Sequence, residues 1–394
     1  MKMDKFLSVI LGMGISLQVF AQSNLDNMLS SVSKNNKSLL TVQQQGEAKK
    51  LGYNTGIYLS NPVVEYDYLY GSPVGAGNQT DFNIIQSFDF PSAYIKRKQV
   101  ITRQVAQIDY QITILRQDIL LQAKQTCIHL IYLNKRQNEL NRRLKNVQSL
   151  YDNYKKKLEK GDASVLDVNK AKLQLLNIQT DFQLNQSEIN QANQKLTELN
   201  GGTPVTFTDT IYPPVPAIPD FKTLESTIEA SDPNLKYFET QKEVYVKEMQ
   251  LSKALWLPKF ETGYHQQAIL GQKFQGAHFG ITIPLWERKN TVKHQKAQVL
   301  FGDMQIQEHR NEHYHHIQQL YEKYLNLQLS ITEYQKVLND FSNLELHNKA
   351  LALGQISLIE YSLEISNYYE SFNKYLLLEK EYFNSIAELY KFTL

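Results

Sequence analysis

A chain of 394 residues with 42% hydrophobic content can hold two or three ordinary domains and has enough apolar residues for a core. Its formal net charge of +2 gives no reason to expect nucleic acid or an acidic surface as partner. A single cysteine, Cys127, rules out an intramolecular disulfide and a cysteine-based metal site, so that residue reads as a small packing group.

The first residues have the form of a secretory signal over 1–21. Lys2 and Lys5 supply the positive end, Phe6 to Phe20 the apolar segment, and Val19-Phe20-Ala21 the cleavage site before Gln22. The expected mature end offers no thiol for a lipid anchor. No later window is apolar enough for a membrane helix.

Residues 22–200 read as a first structural unit. Leu25 to Lys34 and Ser38 to about Leu59 predict two amphipathic helices. A β-hairpin over 62–90 follows. In its first strand Val64, Tyr66, Tyr68 and Tyr70 alternate with Glu65 and Asp67. In its second, Phe82, Ile84, Phe88 and Phe90 alternate with Asp81, Asn83, Ser87 and Asp89, with Ile85 and Gln86 out of step. Pro73 and the glycines from Gly71 to Gly77 mark the loop between them.

Ser92 to Leu199 then predicts a long helical hairpin. Ser92 to Glu159 contains neither proline nor glycine, a rod of roughly 100 Å at the α-helical rise. One apolar row recurs every seventh residue through Val105, Ile112, Ile119, Leu133, Leu140, Val147 and Tyr154, with Thr126 as the exception. A second begins Ile101, Ile108, Leu115, then shifts by one to Leu130, Leu144, Tyr151 and Leu158, interrupted at Gln137. Two such rows make a coiled-coil seam with a phase change near Thr126.

Five prolines between Gly201 and Pro219 forbid helix and ordinary sheet, so 201–221 reads as an extended linker. Residues 222–394 read as a second unit. Helices are expected over Lys222 to Ala230 and Asn234 to Trp256, with Asp232-Pro233 as cap and first-turn proline. A β-hairpin spans 258–284: Phe260, Tyr264 and Ala268 alternate with Lys259, Glu261 and His265, and Ala277, Phe279, Ile281 and Ile283 with His278, Gly280 and Thr282. The helical hairpin over 286–392 is expected as one helix from Arg288 to Leu353 and a return from Ser357 to Phe392.

The two units share landmarks at nearly constant spacing. Gly354-Gln355-Ile356-Ser357-Leu358-Ile359-Glu360 stands 193 residues after Gly161-Asp162-Ala163-Ser164-Val165-Leu166-Asp167, and Ile283-Pro284 stands 193 after Phe90-Pro91. Leu235 and Leu257-Pro258 stand 196 after Leu39 and Asn61-Pro62. The chain therefore reads as a two-fold internal repeat, mainly α with a small β part. In each turn, glycine can end one helix in the left-handed conformation. The serine can cap the next helix, with Asp167 or Glu360 completing a capping box.

An exported chain whose strands alternate apolar and polar residues fits a transmembrane β-barrel, and four strands can close one only by pooling chains. A soluble hairpin pair packed on the helices is the plainer alternative. The strand pairs ending in Phe-Pro or Ile-Pro, the Gly-x-x-Ser-Val/Leu-x-Asp/Glu turns and the doubled layout resemble the TolC family of outer-membrane efflux proteins over Leu25 to Phe392. The resemblance implies a homotrimer with a shared 12-stranded transmembrane barrel in outer-membrane lipid of a Gram-negative bacterium. It implies a periplasmic α-helical barrel and a linker in the equatorial region. The tips at Gly161, Asp162, Ala163, Ser164, Val165 and at Gly354, Gln355, Ile356, Ser357, Leu358 would meet a periplasmic adaptor (membrane fusion protein), which joins the duct to an inner-membrane pump.

No phosphate-binding glycine loop, nucleophile elbow or zinc-protease motif is present, so neither a catalytic site nor a cofactor is expected. His309, His313 and His316 lie at i, i+4 and i+7, beside His315 and near Glu312. A polar helix face that binds nothing outweighs a metal site here, although two imidazoles at i, i+4 can share an ion. Asp152, Glu159 and Asp162 near one tip, and Asp340 and Glu345 near the other, are candidates for an entrance gate closed by salt bridges to groups such as Lys155, Lys156, Lys157 and Lys160; solvated helix flanks are an equal reading. The competing functions are a secreted coiled-coil scaffold and an exported metal-binding protein using the histidine cluster.

Overall fold

The structure is a computed structural model that describes residues 24–215, 217–340 and 344–394; the expected signal segment lies outside them. Its elements come in one order twice. Helices α1 (Asn24–Asn35) and α2 (Lys37–Asn54) lead to strands β1 (Val63–Leu69) and β2 (Gln79–Phe88), then to α3 (Pro91–Glu159) and α4 (Val165–Leu199). Helices α5 (Phe221–Ser231) and α6 (Pro233–Ala254) lead to β3 (Lys259–Ile269) and β4 (Gln272–Thr282), then to α7 (Thr291–Asp340), α8 (Leu344–Ala352) and α9 (Leu358–Leu389). The helix expected over Arg288 to Leu353 is thus described as α7 and α8, with 341–343 between them outside the described residues. Helix α2 stops at Asn54, short of the expected Leu59, in a turn that includes Gly56.

Helix α3 is the element that the others pack on. No residue of either predicted heptad row is exposed, and Ile101, Ile108, Ile119, Leu130, Leu133, Leu140 and Val147 are buried. Along its first part α3 packs on α2 and α6: Lys50 pairs with Asp109 at 2.8 Å, Arg103 with Glu243 at 3.0 Å, and the amides of Gln107 and Gln241 are bonded. Along its last part it packs on α4 and α9. Asn185, fully buried on α4, donates to the Leu133 carbonyl at 3.0 Å, and Lys135 meets Glu379 of α9 at 2.5 Å.

Between these zones α3 is buried on more than its seam. Leu120, Ala123, Cys127, Ile128 and Ile131 are all buried because α1, the linker and the end of α9 converge there. Burial pushes the Cys127 thiol up to about 12, so it stays a neutral packing group. The linker crosses this level in extended form. Phe207 enters the core beside Leu130 and Leu196, Tyr212 stacks on Phe383 at 4.1 Å, and the Pro219 carbonyl accepts from Tyr321 at 3.3 Å. Asn134 donates to the carbonyls of Phe207 and Asp209, which satisfies backbone that has no ladder of its own.

A charge network that the heptad reading missed lies farther along α3. Buried Glu139 accepts from Arg143 at 2.8 Å and from Arg142 at 3.0 Å, and the Arg143 guanidinium sits 3.9 Å from the Tyr369 ring centroid on α9.

Candidate functional site

The four strands form one antiparallel sheet in the order β1-β2-β3-β4. Registered partners put Val64, Ile84, Tyr264 and Ala277 in one row, with Tyr66 and Phe82 in the next. Phe88, Phe260 and Ile281 make another row of the same face, with the two phenylalanine rings stacked at 5.9 Å. The opposite face carries the rows Glu65, Asn83, His265 and Asp67, Asp81, Gln267. Period-2 alternation thus becomes two chemically different faces, as the sequence predicts. The segregation has exceptions. Gln266 and Gln275 lie on the apolar face, where both accept from the Tyr264 hydroxyl, and Ile85 and Phe274 lie on the polar one.

The apolar face is bare in the single chain: Tyr66 is 63% and Phe279 79% exposed. Tyr58, Trp256 and Trp286, all exposed, flank the helix-side end of the sheet, and Tyr70 packs edge-on against Tyr68 at the other. Aromatic rings at both ends of an apolar band are what a wet–dry boundary selects. Strands β2, β3 and β4 have 10, 11 and 11 residues, enough to cross a bilayer when tilted, whereas β1 has 7. Strands β1 and β4 have one partner each, so two ladder edges stay open. Among the described residues no helix is long and apolar enough to cross a membrane.

The two turns lie at the other end. Gly161 takes φ 81° and Gly354 φ 71°, so α3 and α8 end with the left-handed residue that glycine adopts without cost. The Asp162 amide returns to the Lys157 carbonyl at 2.8 Å, and that of Gln355 to Ala350 at 2.9 Å. Ser164 accepts from the Asp167 amide and Ser357 from that of Glu360, both at 3.2 Å. Each carboxylate reaches back to the serine amide, which completes two capping boxes. Hydrogen bonds from Ser164 and Ser357 hold both carboxyls below the usual carboxylate range.

The turns are neighbours. Tyr154 and Leu150 of α3 pack on a core of Leu351, Leu358, Tyr361 and Ile365, and a cleft of about 630 Å³ between them is lined by Lys156, Lys157, Lys160, Asp162 and Asn348. Gly161, Asp162, Ser164, Val165, Gly354, Gln355 and Ser357 are exposed, and Ala163 and Ile356 are half-buried. Leu358 departs from its expected place at the surface: it is 6% exposed, because it closes the apolar core under the second turn.

Asp152 and Glu159 are exposed on α3, and Asp152 accepts from Gln148 one turn away at 3.1 Å. Asp340 ends α7 and Glu345 begins α8, but their side chains lie outside the described residues.

The histidine face acquires a partner that spacing did not reveal. Buried Asp232, the cap of α6, meets His309 Nε2 at 2.5 Å and His313 Nδ1 at 3.9 Å. The two imidazoles stack with centroids 5.4 Å apart. Glu312 and His315 are exposed and outside this group of three; His316, also exposed, is not one of the three but lines the same cavity as Asp232 and His313.

No protein-family model matches the chain, and no curated protein matches it by sequence. Solved structures do match. CusC, studied for its folding and transmembrane channel formation, superposes with a TM-score of 0.74 at 15% identity over 95% of this chain and 92% of its own. The Campylobacter jejuni CmeC outer-membrane channel gives 0.71 at 15% identity over 94% and 85%, and the Vibrio cholerae outer-membrane protein VceC gives 0.72 at 12% over 94% and 94%. The chain therefore has the fold of these outer-membrane channels along nearly its whole length.

Proposed function

We propose that this protein is one subunit of an outer-membrane exit duct, a passive channel that catalyses no reaction. The observation that carries this reading is the bare sheet: an apolar face rimmed by aromatics, a polar face and two open edges, mounted on helices with a channel fold. Three copies would pool their strands into a 12-stranded barrel with the apolar face toward lipid and the polar face toward the lumen. The flanks support assembly. Leu300, Phe301, Leu325 and Leu329 are exposed on α7, and Leu173, Leu176 and Leu184 on α4, as two apolar edges of one chain. The helices then form a tunnel in the periplasm, with the linker as its equatorial belt.

The exposed turn residues support an adaptor interface at the far end, through which an inner-membrane pump supplies the energy. Closure of the entrance would rest on interprotomer pairs of Asp152, Glu159, Asp340 and Glu345 with tip lysines. Replacing Asp340 and Glu345 by alanine should raise single-channel conductance of the isolated duct; an unchanged conductance removes both from the gate.

Electron microscopy of the protein extracted from envelopes in detergent tests the duct itself. The expected particle has three-fold symmetry, is longer than the roughly 100 Å of α3, and carries a detergent belt at the sheet end. A monomer or dimer that needs no detergent would overturn the reading in favour of a secreted scaffold.

A further inference from the structure

The repeat provides an internal control for the histidine cluster. At the corner spacing of 196, Asp232 occupies the place of Asn36; at the long-helix spacing of 193, His309 and His313 occupy the places of Arg116 and Leu120. Ile228 and Leu235 are buried in the second corner as Val32 and Leu39 are in the first. The first corner closes without a carboxylate, and Arg116 bonds the Ser33 hydroxyl at 3.4 Å and the Leu394 carbonyl at 3.3 Å. Asn36 accepts from the Leu39 amide at 3.0 Å, donates to the Leu199 carbonyl at 2.8 Å, and Leu120 fills the core. Packing and capping at this corner thus require neither a carboxylate nor an imidazole.

The second corner has both. Asp232 is 4% exposed, and His313, at a position the first unit fills with leucine, has a buried Nε2 without a hydrogen-bond partner. Burial lowers the pKa of the His313 imidazole. Burial pushes the Asp232 carboxyl up, but hydrogen bonds from His309 and the Asn234 amide, with the nearby imidazoles, leave it below the usual range.

We propose that Asp232, His309 and His313 bind one divalent transition-metal ion of the Zn²⁺ class, which ties the α5–α6 corner to α7. One donor atom from each of the three residues lies within 4.8 Å of the others. The separations of 2.5 and 3.9 Å from Asp232 bracket the roughly 3.3 Å between donors of a tetrahedral ion with 2.0 Å bonds, so small side-chain rotations suffice. Two imidazoles and one carboxylate favour Zn²⁺ or its first-row neighbours over Mg²⁺ and Ca²⁺. A cavity of about 320 Å³ lined by Asp232, His313 and His316 opens beside the group and has room for a water at the fourth position.

The full protein in detergent, stripped with EDTA, is titrated with Zn²⁺ by calorimetry and with Co²⁺ by visible absorption. One ion per protomer with tetrahedral Co²⁺ bands is expected. His309→Ala and His313→Ala should each weaken binding by at least the roughly tenfold that even an outer-shell partner is worth, while His315→Ala leaves it unchanged. Asp232→Asn recreates the neutral cap of the first corner, so it should keep the metal-free unfolding transition while losing the Co²⁺ bands. An affinity unchanged in the His309→Ala/His313→Ala double variant, or a Co²⁺ spectrum of octahedral water type, would overturn the site. Neither result touches the duct, which rests on the sheet.

Discussion

Helices α3 and α7 hold the same place in the two halves of the element order and are buried to very different extents. Eight residues of α3 between Ile119 and Leu133 are buried, whereas the buried apolar residues of α7 are Ile306, Ile317, Leu320 and Tyr324. Helix α7 leaves Leu300, Phe301, Met304, Leu325, Leu329 and Val337 exposed. The difference follows from neighbours. Helix α3 takes α2 and α6 in its first part, α4 and α9 in its last, and α1 and the linker between; α7 takes α6 and α9, with α5 and the end of the linker only around Ile317 to Tyr324. Two helices at matching places in the element order therefore have two fates within one chain, core and flank, and the apolar flank is where a second copy in the proposed assembly would complete the burial.

One leucine from each helix separates the two fates. Leu133→Ala removes a fully buried side chain and should destabilise the fold by about 2–5 kcal/mol. Leu329, 62% exposed, should cost the single chain less than about 0.5 kcal/mol when replaced by alanine, while lowering the detergent concentration at which the proposed trimer dissociates. Denaturant unfolding and subunit exchange read the two effects separately. Equal losses of unfolding stability would mean that α7 is not a flank.

The tips make a finer version of the same contrast. Their backbones match turn for turn, yet Val165 is 60% exposed and Leu358, its counterpart, 6%. Leu358→Ala opens a gap against Leu351 and Tyr361 and should cost about 2 kcal/mol locally. Val165→Ala should leave stability unchanged and, if the tip is the proposed adaptor interface, weaken adaptor binding instead. Hydrogen exchange at 350–362, set against adaptor affinity, separates the two roles. A stability loss from both substitutions would erase the distinction.

How much of this was legible in advance depends on the range of the interaction. The heptad rows, the strand alternation from Val64 to Tyr68 and from Phe279 to Ile281, and the Gly-to-capping-box turns are short-range patterns, and each is found in the structure. Leu120, Ala123, Cys127, Ile128 and Ile131 lie off the two rows, and their burial depends on α1 and a linker whose docking has no local period. Asp232 is 77 residues from His309, outside any spacing on the helix itself, whereas Glu312 lies beside His313 in sequence. Leu358 differs from Val165 in burial because the core beneath the second turn includes Leu150 and Tyr154 of α3, a contact between two hairpins distant in sequence.

The capping boxes carry the smallest effect and a defined pH dependence. Asp167 and Glu360 have folded pKa values held below their unfolded ones by hydrogen bonds from Ser164 and Ser357. Unfolded carboxylates titrate near pH 4, so the contribution of each cap is complete above that range and is lost as pH falls through the depressed folded value. Replacing Ser164 or Ser357 by alanine removes the hydroxyl that accepts from the third helical residue and should cost about 1 kcal/mol at each helix start. Hydrogen exchange of the first turns of α4 and α9 should accelerate in either variant at neutral pH. In the parent it should accelerate only in acid, beyond the intrinsic pH trend of exchange. The two turns share this chemistry, so equal responses are expected from both. A smaller response at α9 would show that the apolar core around Leu358, rather than the cap, holds the second tip.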